Sequence, residues 1–552
     1  MNPRNTAFFA LVSILLIATL PLAAQTDLVL PPHPTALATD TNLATPGATA
    51  QETTNTPPAD TNAPPTLSAG TDTNAAPAPS ALELSAAPPK APTSLGAPGW
   101  MVMGDLLVLA GVGGLVAYFC GLTRARHCGH TCTLLLAGIV FGLLGFWVGG
   151  FAMQCGGLGD THASLPAPAN PLAVSGLNHE LGLPMGGHFW GIMGSAGFFL
   201  SSDVDSRKAI GALFLGQAVL LALAVTVALG GALERARILA LAIISFLTGA
   251  LIYPLLANWI WGGGWLAALG TEGGLGHGVV DLGGAGVIHL AAGTLALVLA
   301  LELGPRYGRF GRRPAPIPGH NIPLAILGSL VVLLALTALN ATAYPGPTEA
   351  DSPAGLAAAN TLLAAAGGLA TSFVLVLYRS KKLDPVALCR GLLGGAVAVS
   401  AGAALVETWA AVLTGAIAGA IVQAVVRLLD RRKIDDPVGA VAVHGAGGAW
   451  GLVALGLFAN GVTGGTINGV AGPVRGLLTA HDGRQLLAQI IGALVSFAIV
   501  FGLGYACVSL THKIVGIRVE LADETAGLDE PKLGVLGYQA DAEDLEKDEP
   551  TS

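Results

Sequence analysis

Charge is what this chain of 552 residues has least of, with only 11% of its side chains acidic or basic. That is less than half the share in an ordinary soluble globular protein and argues against a water-soluble enzyme. Basic residues are the scarcer sign, 26 against 34 acidic for a net charge of -8, so the basic footprint of a nucleic-acid binder is missing. Cysteine is scarce as well. Cys120, Cys128, Cys132, Cys155, Cys389 and Cys507 lie mostly in or beside apolar runs, and without paired spacing they imply no disulfide framework. What is abundant is small and apolar: 53% hydrophobic residues, 77 glycines and a mean hydropathy of +0.66. This is the profile of a helical bundle in lipid whose backbones approach closely through small residues.

Residues 1–24 carry one basic residue, an apolar run from Ala7 to Leu22 and small residues at Ala23 and Ala24, the three parts of a secretory signal peptide. Cleavage is expected; a retained anchor is the alternative, because Leu22 stands where a small residue is usual. Residues 25–98 turn to Ala, Pro, Thr and Asn with Lys90 as the single basic residue before Trp100, and such a segment reads as a disordered arm.

Residues 99–511 hold eleven apolar runs near 100–122, 131–154, 209–231, 237–259, 280–302, 321–344, 355–378, 384–405, 408–428, 437–460 and 486–509. Each approaches the roughly 20 residues that a bilayer core requires. A further run at 187–200 is too short to span and is expected to pack on the outer face or to re-enter. Arg124 and Arg126, Arg235 and Arg237, Arg306 to Arg313, Arg379 to Lys382 and Arg431 to Lys433 fall in alternate connections. The positive-inside rule makes those connections cytoplasmic, which puts the arm outside and the acidic tail, 512–552, inside.

Ionisable side chains within spans are functional hypotheses by default. The candidates are Asp105, Asp281, His289, Glu407, Asp436 and His444. Two pairs share one spacing: Asp281 precedes His289 by eight residues in DLGGAGVIHLAAG, and Asp436 precedes His444 by eight in DPVGAVAVHGAGG. Each aspartate is placed to satisfy free N–H groups at a helix start, and each histidine then lies about 12 Å deeper. A duplication with a site between its halves is the layout of a transporter, and a facing pair of rings could share one proton. At 258–270, NWIWGGGWLAALG sets tryptophans around a triple glycine. This suggests a loop over an opening, where an indole face could bind a small cation at roughly 1–2 kcal/mol.

With these motifs the sequence resembles the ammonium transporter family of Amt, Mep and Rh proteins over about 100–540. The matching stretches are FCGLTR, GALERAR, YPLLANWIWGGGWLA, DLGGAGVIHLAAG, DDPVGAVAVHGAGGAWG and IVGIRVELADETAGLD. The resemblance implies an all-α integral membrane protein of eleven helices with an inverted internal repeat, assembled as a homotrimer. It further implies an outer ammonium site at Trp261, a structural aspartate at Asp281, supported by Asp436 in the second half, and a pore lined by His289 and His444. No cofactor is implied. Ammonium would dock outside, lose its proton and pass the histidines as ammonia into the cytosol.

Departures concern the outer gate. Leu220 or Ala222, and Leu339, stand where the family usually stacks two phenylalanines; Ala343 stands for its serine, and Gly439 for an aspartate after the DDP motif. Two rival readings follow. One is an ammonium sensor with little flux; the other is a channel for another small neutral molecule such as carbon dioxide. Trp261 favours ammonium, since a gas pore would not need a cation site. HCGHTC at 127–132 sets His127, Cys128, His130 and Cys132 in a cytoplasmic loop with spacings shorter than the usual zinc patterns, so no metal site is expected. By resemblance the GIRVELADETAGLD stretch packs under neighbouring subunits, and a PII-type signalling protein is the soluble partner considered for that face.

Overall fold

A computed structural model describes residues 98–161, 176–202, 204, 206–310, 317–344 and 352–538. The leader and the arm lie outside the described residues. Among the described residues, ten helices are long and apolar enough to cross a membrane: α1 (Val102–Leu122), α2 (Ala125–Cys155), α3 (Arg207–Ala232), α4 (Ile238–Ala268), α5 (Ala285–Leu303), α6 (Ile322–Thr342), α7 (Ala354–Ser380), α9 (Thr408–Arg431), α10 (Val441–Phe458) and α11 (Gly483–Val515). Between α7 and α9 lies α8 (Pro385–Val399), apolar but only 15 residues long. The run expected at 384–405 is thus a short helix followed by a tight turn, Ala403–Leu405.

Glycine decides how these helices meet. Along α1, a Cβ on Gly104, Gly111 or Gly121 would collide with Thr342, Ala335 or Ala325 of α6, so the missing side chains let two helices rich in bulky apolar residues lie in contact. The same device joins α7 to α9, where Gly415 rests on the backbone of Ala364 and Gly419 on that of Gly368. Large apolar side chains then face outward, among them Leu136, Leu327, Val374 and Leu494. For helices of this length that is the lipid-facing surface of a multi-pass membrane protein.

At one end of the bundle stands a feature that helical hydropathy could not foresee. The short run at 187–200 is mostly a hairpin, β1 (Glu180–Met185) paired antiparallel with β2 (His188–Gly194), turned through Gly186 and Gly187 at positive φ. Trp259 at the end of α4 donates its indole N–H to the carbonyl of Ile192, and Asn258 donates to Glu180. Burial pushes the Glu180 carboxyl up to about 8, with Asp160 adding to the shift and the Asn258 hydrogen bond opposing it.

The opposite end carries the C-terminal segment, with two short helices, α12 (Leu521–Ala526) and α13 (Asp529–Leu533). Its acidic residues are not all solvated: Glu524 pairs with Arg518 and accepts from the Tyr307 N–H, and Asp529 accepts from the N–H groups of Gly129 and His130 at the start of α2. Beside them lies a buried ion network in which Arg306 bridges Glu234 and Asp435. Burial alone would raise the Asp435 pKa, but Arg306 and Arg235 hold the carboxyl down at about 2. HCGHTC is not a loop; Cys128 opens a helix directly after a short turn, Ala125–His127.

Candidate functional site

The two Asp/His motifs fold alike. Asp281 accepts from the N–H groups of Gly286 and Val287, five and six residues on, both at 2.9 Å. Asp436 accepts from Val441 and Ala442, again five and six residues on, at 3.0 and 3.3 Å. An N-cap ordinarily serves an N–H two or three residues ahead. The longer reach here comes from a left-handed residue three positions after each aspartate, Gly284 at φ 83° and Gly439 at φ 82°. Such a backbone suits glycine. Gly439, a departure when the motif is read as letters, is therefore the counterpart of Gly284.

Each capped segment opens with a π turn, Ala285–Leu290 and Val441–Ala446, and the histidine lies in that turn. His289 and His444 are buried with Nδ1 atoms 3.1 Å apart and ring centroids at 5.0 Å. What allows this approach is again paired in the sequence. Gly293, four residues after His289, lies against Gly445 and His444; Gly448, four residues after His444, lies against Ala285, Leu290 and His289. A Cβ at either glycine would come within 2.1 or 2.3 Å of the other helix's backbone.

In an Nδ1 to Nδ1 hydrogen bond between neutral rings, one nitrogen donates and the other accepts, so the two rings hold opposite tautomers. The His289 Nε2 has no hydrogen-bond partner among the described residues. It therefore presents either a free N–H or a free lone pair inside the bundle, a polar foothold for a small neutral molecule with both donor and acceptor character.

Trp261 is placed differently from a loop residue over an opening. It ends the helical turn Tyr253–Ile260, is 1% exposed, and donates its indole N–H to the main-chain carbonyl of Asp281. The glycines after it turn the chain into a short helix, Trp265–Ala268, which sets Trp265 edge-on to Trp259. The backbone beyond Asp281 is held in turn, Leu282 and Gly283 donating to the carbonyls of Ala401 and Ser400. Leu339 and Ala343 are buried near the end of α6, as are Leu220 and Ala222 in α3. Ala343 packs in one apolar cluster with Val280, Leu282 and Tyr344.

The remaining candidates lie apart. Asp105 sits on α1 with one carboxyl oxygen unpartnered, while Glu407, just before α9, accepts only a long bond from Asn460. Two further contacts had no sequence signal. Asp435 and Glu234 meet Arg306 from 129 and 72 residues away. Cys120 is joined to Cys128 in a disulfide across the turn from α1 to α2, which corrects the expectation that the cysteines form no bridge. Eight residues separate them in the chain, yet ending one helix and reversing into the next brings their Cα atoms to 5.4 Å, inside the range for a bridge.

Residues 99–538 match the profile of the Ammonium Transporter Family. The ammonium transporter Amt2 of Archaeoglobus fulgidus is 32% identical over 444 residues, covering 80% of this chain and 87% of that protein. Among solved structures, a sensor Amt protein superposes with a TM-score of 0.65 at 24% identity, covering 80% of this chain and 98% of its own. Mep2 of Saccharomyces cerevisiae superposes with 0.61 at 24% identity, covering 78% and 89%. A match across every membrane-length helix, joined to the repeated Asp/His motif, places the chain in the ammonium transporter family.

Proposed function

We propose that the chain admits ammonium at the Trp261 and Asp281 end, removes a proton there, and conducts ammonia past His289 and His444. The physical reason is cost: carrying a bare cation through the middle of a membrane costs from about 3 to well over 10 kcal/mol, and neutral ammonia escapes most of it. Trp261 and the negative charge of Asp281 favour a cation at the entrance, whereas Leu339 and Ala343 contribute only apolar gate surface. The observation that carries the reading is the buried Nδ1 to Nδ1 contact at 3.1 Å. If the two rings exchange donor and acceptor roles, a proton moves between them, which gives a route for the proton alongside the ammonia.

The same reading sets the protein in the cytoplasmic membrane as a homotrimer, with its N-terminus outside and its C-terminal segment in the cytosol. A PII-type signalling protein would dock at the cytosolic face. Reconstituted proteoliposomes given an ammonium pulse test the mechanism. Replacing either histidine with a similarly sized apolar residue leaves its partner buried and unsatisfied, at about 1–3 kcal/mol, and is expected to abolish the evoked current. The double variant relieves that penalty but removes the relay, so it should be inactive or conduct with changed ion selectivity. Wild-type current in all three variants would overturn the reading.

A further inference from the structure

The turn from α1 to α2 gathers three sulfurs that ammonium transport does not use. Cys120 ends α1, Cys128 opens the next helix and Cys132 lies one turn further on; their Sγ atoms all lie within 4.8 Å of one another. Cys120 and Cys128 are buried and Cys132 is half-buried. An independent observation points the same way. His127 is fully buried with neither ring nitrogen hydrogen-bonded, and His130, also buried, has an unpartnered Nδ1. Buried polar nitrogens ordinarily find a partner, and two such imidazoles flank Cys128 in the chain.

We infer that Cys120, Cys128 and Cys132 form, in the reduced protein, a thiolate site for a soft divalent metal ion of the Zn2+ class. Cys132 already stands within reach of both bridged sulfurs, and reduction lets Cys120 and Cys128 separate from bonding distance. Zinc–sulfur bonds of about 2.3 Å in a tetrahedral set put neighbouring sulfurs about 3.8 Å apart. The ring nitrogens of His127 and His130 lie outside the sulfur cluster, so one of these rings would have to turn toward it on binding to supply a fourth donor and a Cys3His set. The HCGHTC spacing alone is too short for zinc because one ligand, Cys120, comes from the preceding helix.

The inference rests on reading this end of the bundle as cytosolic, where thiols are kept reduced. Reduction breaks the Cys120–Cys128 bond with two electrons and two protons taken from a cellular dithiol, which leaves as its own disulfide. Binding then releases a proton from each thiol, and three thiolates on one Zn2+ carry a single net negative charge. The ion would clamp the end of α1 to the start of α2, the helix start whose N–H groups are held by Asp529 of the C-terminal segment.

The test uses the full-length protein in detergent, reduced with a non-thiol phosphine under anaerobic conditions and desalted. Titration with Zn2+ against a chromophoric chelator should give one ion per chain, a higher melting temperature, and with Cd2+ a thiolate-to-metal charge-transfer band. Cys132→Ser, at a half-buried position that leaves the fold intact, should lose the band and the melting shift, while Cys507→Ser should keep both. Combined replacement of His127 and His130 by Ala should weaken Zn2+ binding without removing the band. Failure to bind Zn2+, binding that survives Cys132→Ser, or a Cys120–Cys128 bridge that resists the reductant would each overturn the inference. None of these readouts depends on ammonium flux or on which face the site occupies, so they leave the transport mechanism untouched.

Discussion

The two halves of the repeat differ in what surrounds their aspartates. Both motifs share a left-handed glycine at the third position after the aspartate, a π turn, a histidine at the eighth and a packing glycine at the twelfth. Asp281, however, accepts the Trp261 indole N–H on its main-chain carbonyl, and its carboxylate is bonded by main-chain N–H groups. Asp436 stands in a cavity of about 320 Å³ lined also by Arg306, Arg309, Arg390 and Asp435. The side chain of Arg390 lies directly against Gly439. One aspartate is thus held among main-chain dipoles, and the other lines a cavity that gathers three arginines with Asp384, Asp430 and Asp435. The repeat brings the two histidines together, while the surroundings of its aspartates differ between the halves.

The largest effects should come from the glycines on which both halves depend. Gly293→Ala and Gly448→Ala each drive a methyl into the opposite helix's backbone, and overpacking of this kind costs about 1–3 kcal/mol or more. Because the collision is with main chain, the helices must separate, and with them the rings. Melting temperature should fall in both variants, and ammonium-evoked current per protein with it as the rings move apart. A current lost in one variant and kept in the other would break the symmetry between the halves.

Next come the aspartates. Asp281→Ala removes two charge-assisted hydrogen bonds from a buried helix start, at about 1.5–3 kcal/mol each, and with them the negative charge at the entrance. Asp436→Ala loses two bonds of the same kind, one of them longer at 3.3 Å, and takes no charge from the entrance. Melting temperature and transport should both fall further for Asp281→Ala. Equal losses would show that only capping matters, and full transport by folded Asp281→Ala would remove this residue from the mechanism.

Arg306→Ala acts at the arginine-rich end alone. It leaves Glu234 and Asp435 buried without their bridging charge, and breaking such a pair costs about 3–5 kcal/mol. The loss should be one of stability, read as a lower melting temperature at neutral pH with flux per folded protein retained. Asp435 adds a sign check: its folded pKa of about 2 lies below the ordinary 3.8, so its stabilisation is complete above about pH 4 and fades as pH falls through 2. The Arg306→Ala deficit should therefore shrink in strong acid.

The contrast between the halves also separates what sequence reveals from what it hides. His289 and His444 were legible because an apolar context makes an ionisable residue conspicuous, and two copies of one spacing make it meaningful. Ten of the eleven expected spans were legible because each is a long apolar run; α8, at 15 residues, is too short to be told from a buried core helix by length. The hairpin at 180–194 was not legible, since GHFWGIMGSAGFFL reads as apolar under any helical window and its strand character rests on the Gly186–Gly187 turn. The Arg306 network and the bridge of Cys120 to Cys128 were hidden for another reason: they are contacts made by tertiary folding, and no periodicity records them.

The smallest expected effect lies in that hairpin and sharpens the comparison at the entrance end. Glu180, the first residue of β1, is half-buried with one carboxyl oxygen unpartnered and the other accepting from Asn258. Its folded pKa of about 8 lies above the ordinary 4.5, so the fold favours the protonated acid. Below about pH 4.5 the residue is neutral in folded and unfolded chains alike and adds no penalty. Between 4.5 and 8 the unfolded chain ionises while the folded one resists, so stability falls as pH rises, and above 8 the penalty stays constant. Partial exposure limits its size to about 1–2 kcal/mol. Glu180→Gln keeps the shape and the Asn258 bond but cannot ionise. Melting curves of the two proteins should coincide near pH 4.5 and diverge by pH 9, with the variant the more stable. His188 and Glu272, which pair nearby, are common to both proteins. Curves that stay parallel across this range would show that the Glu180 carboxylate is already satisfied in the fold.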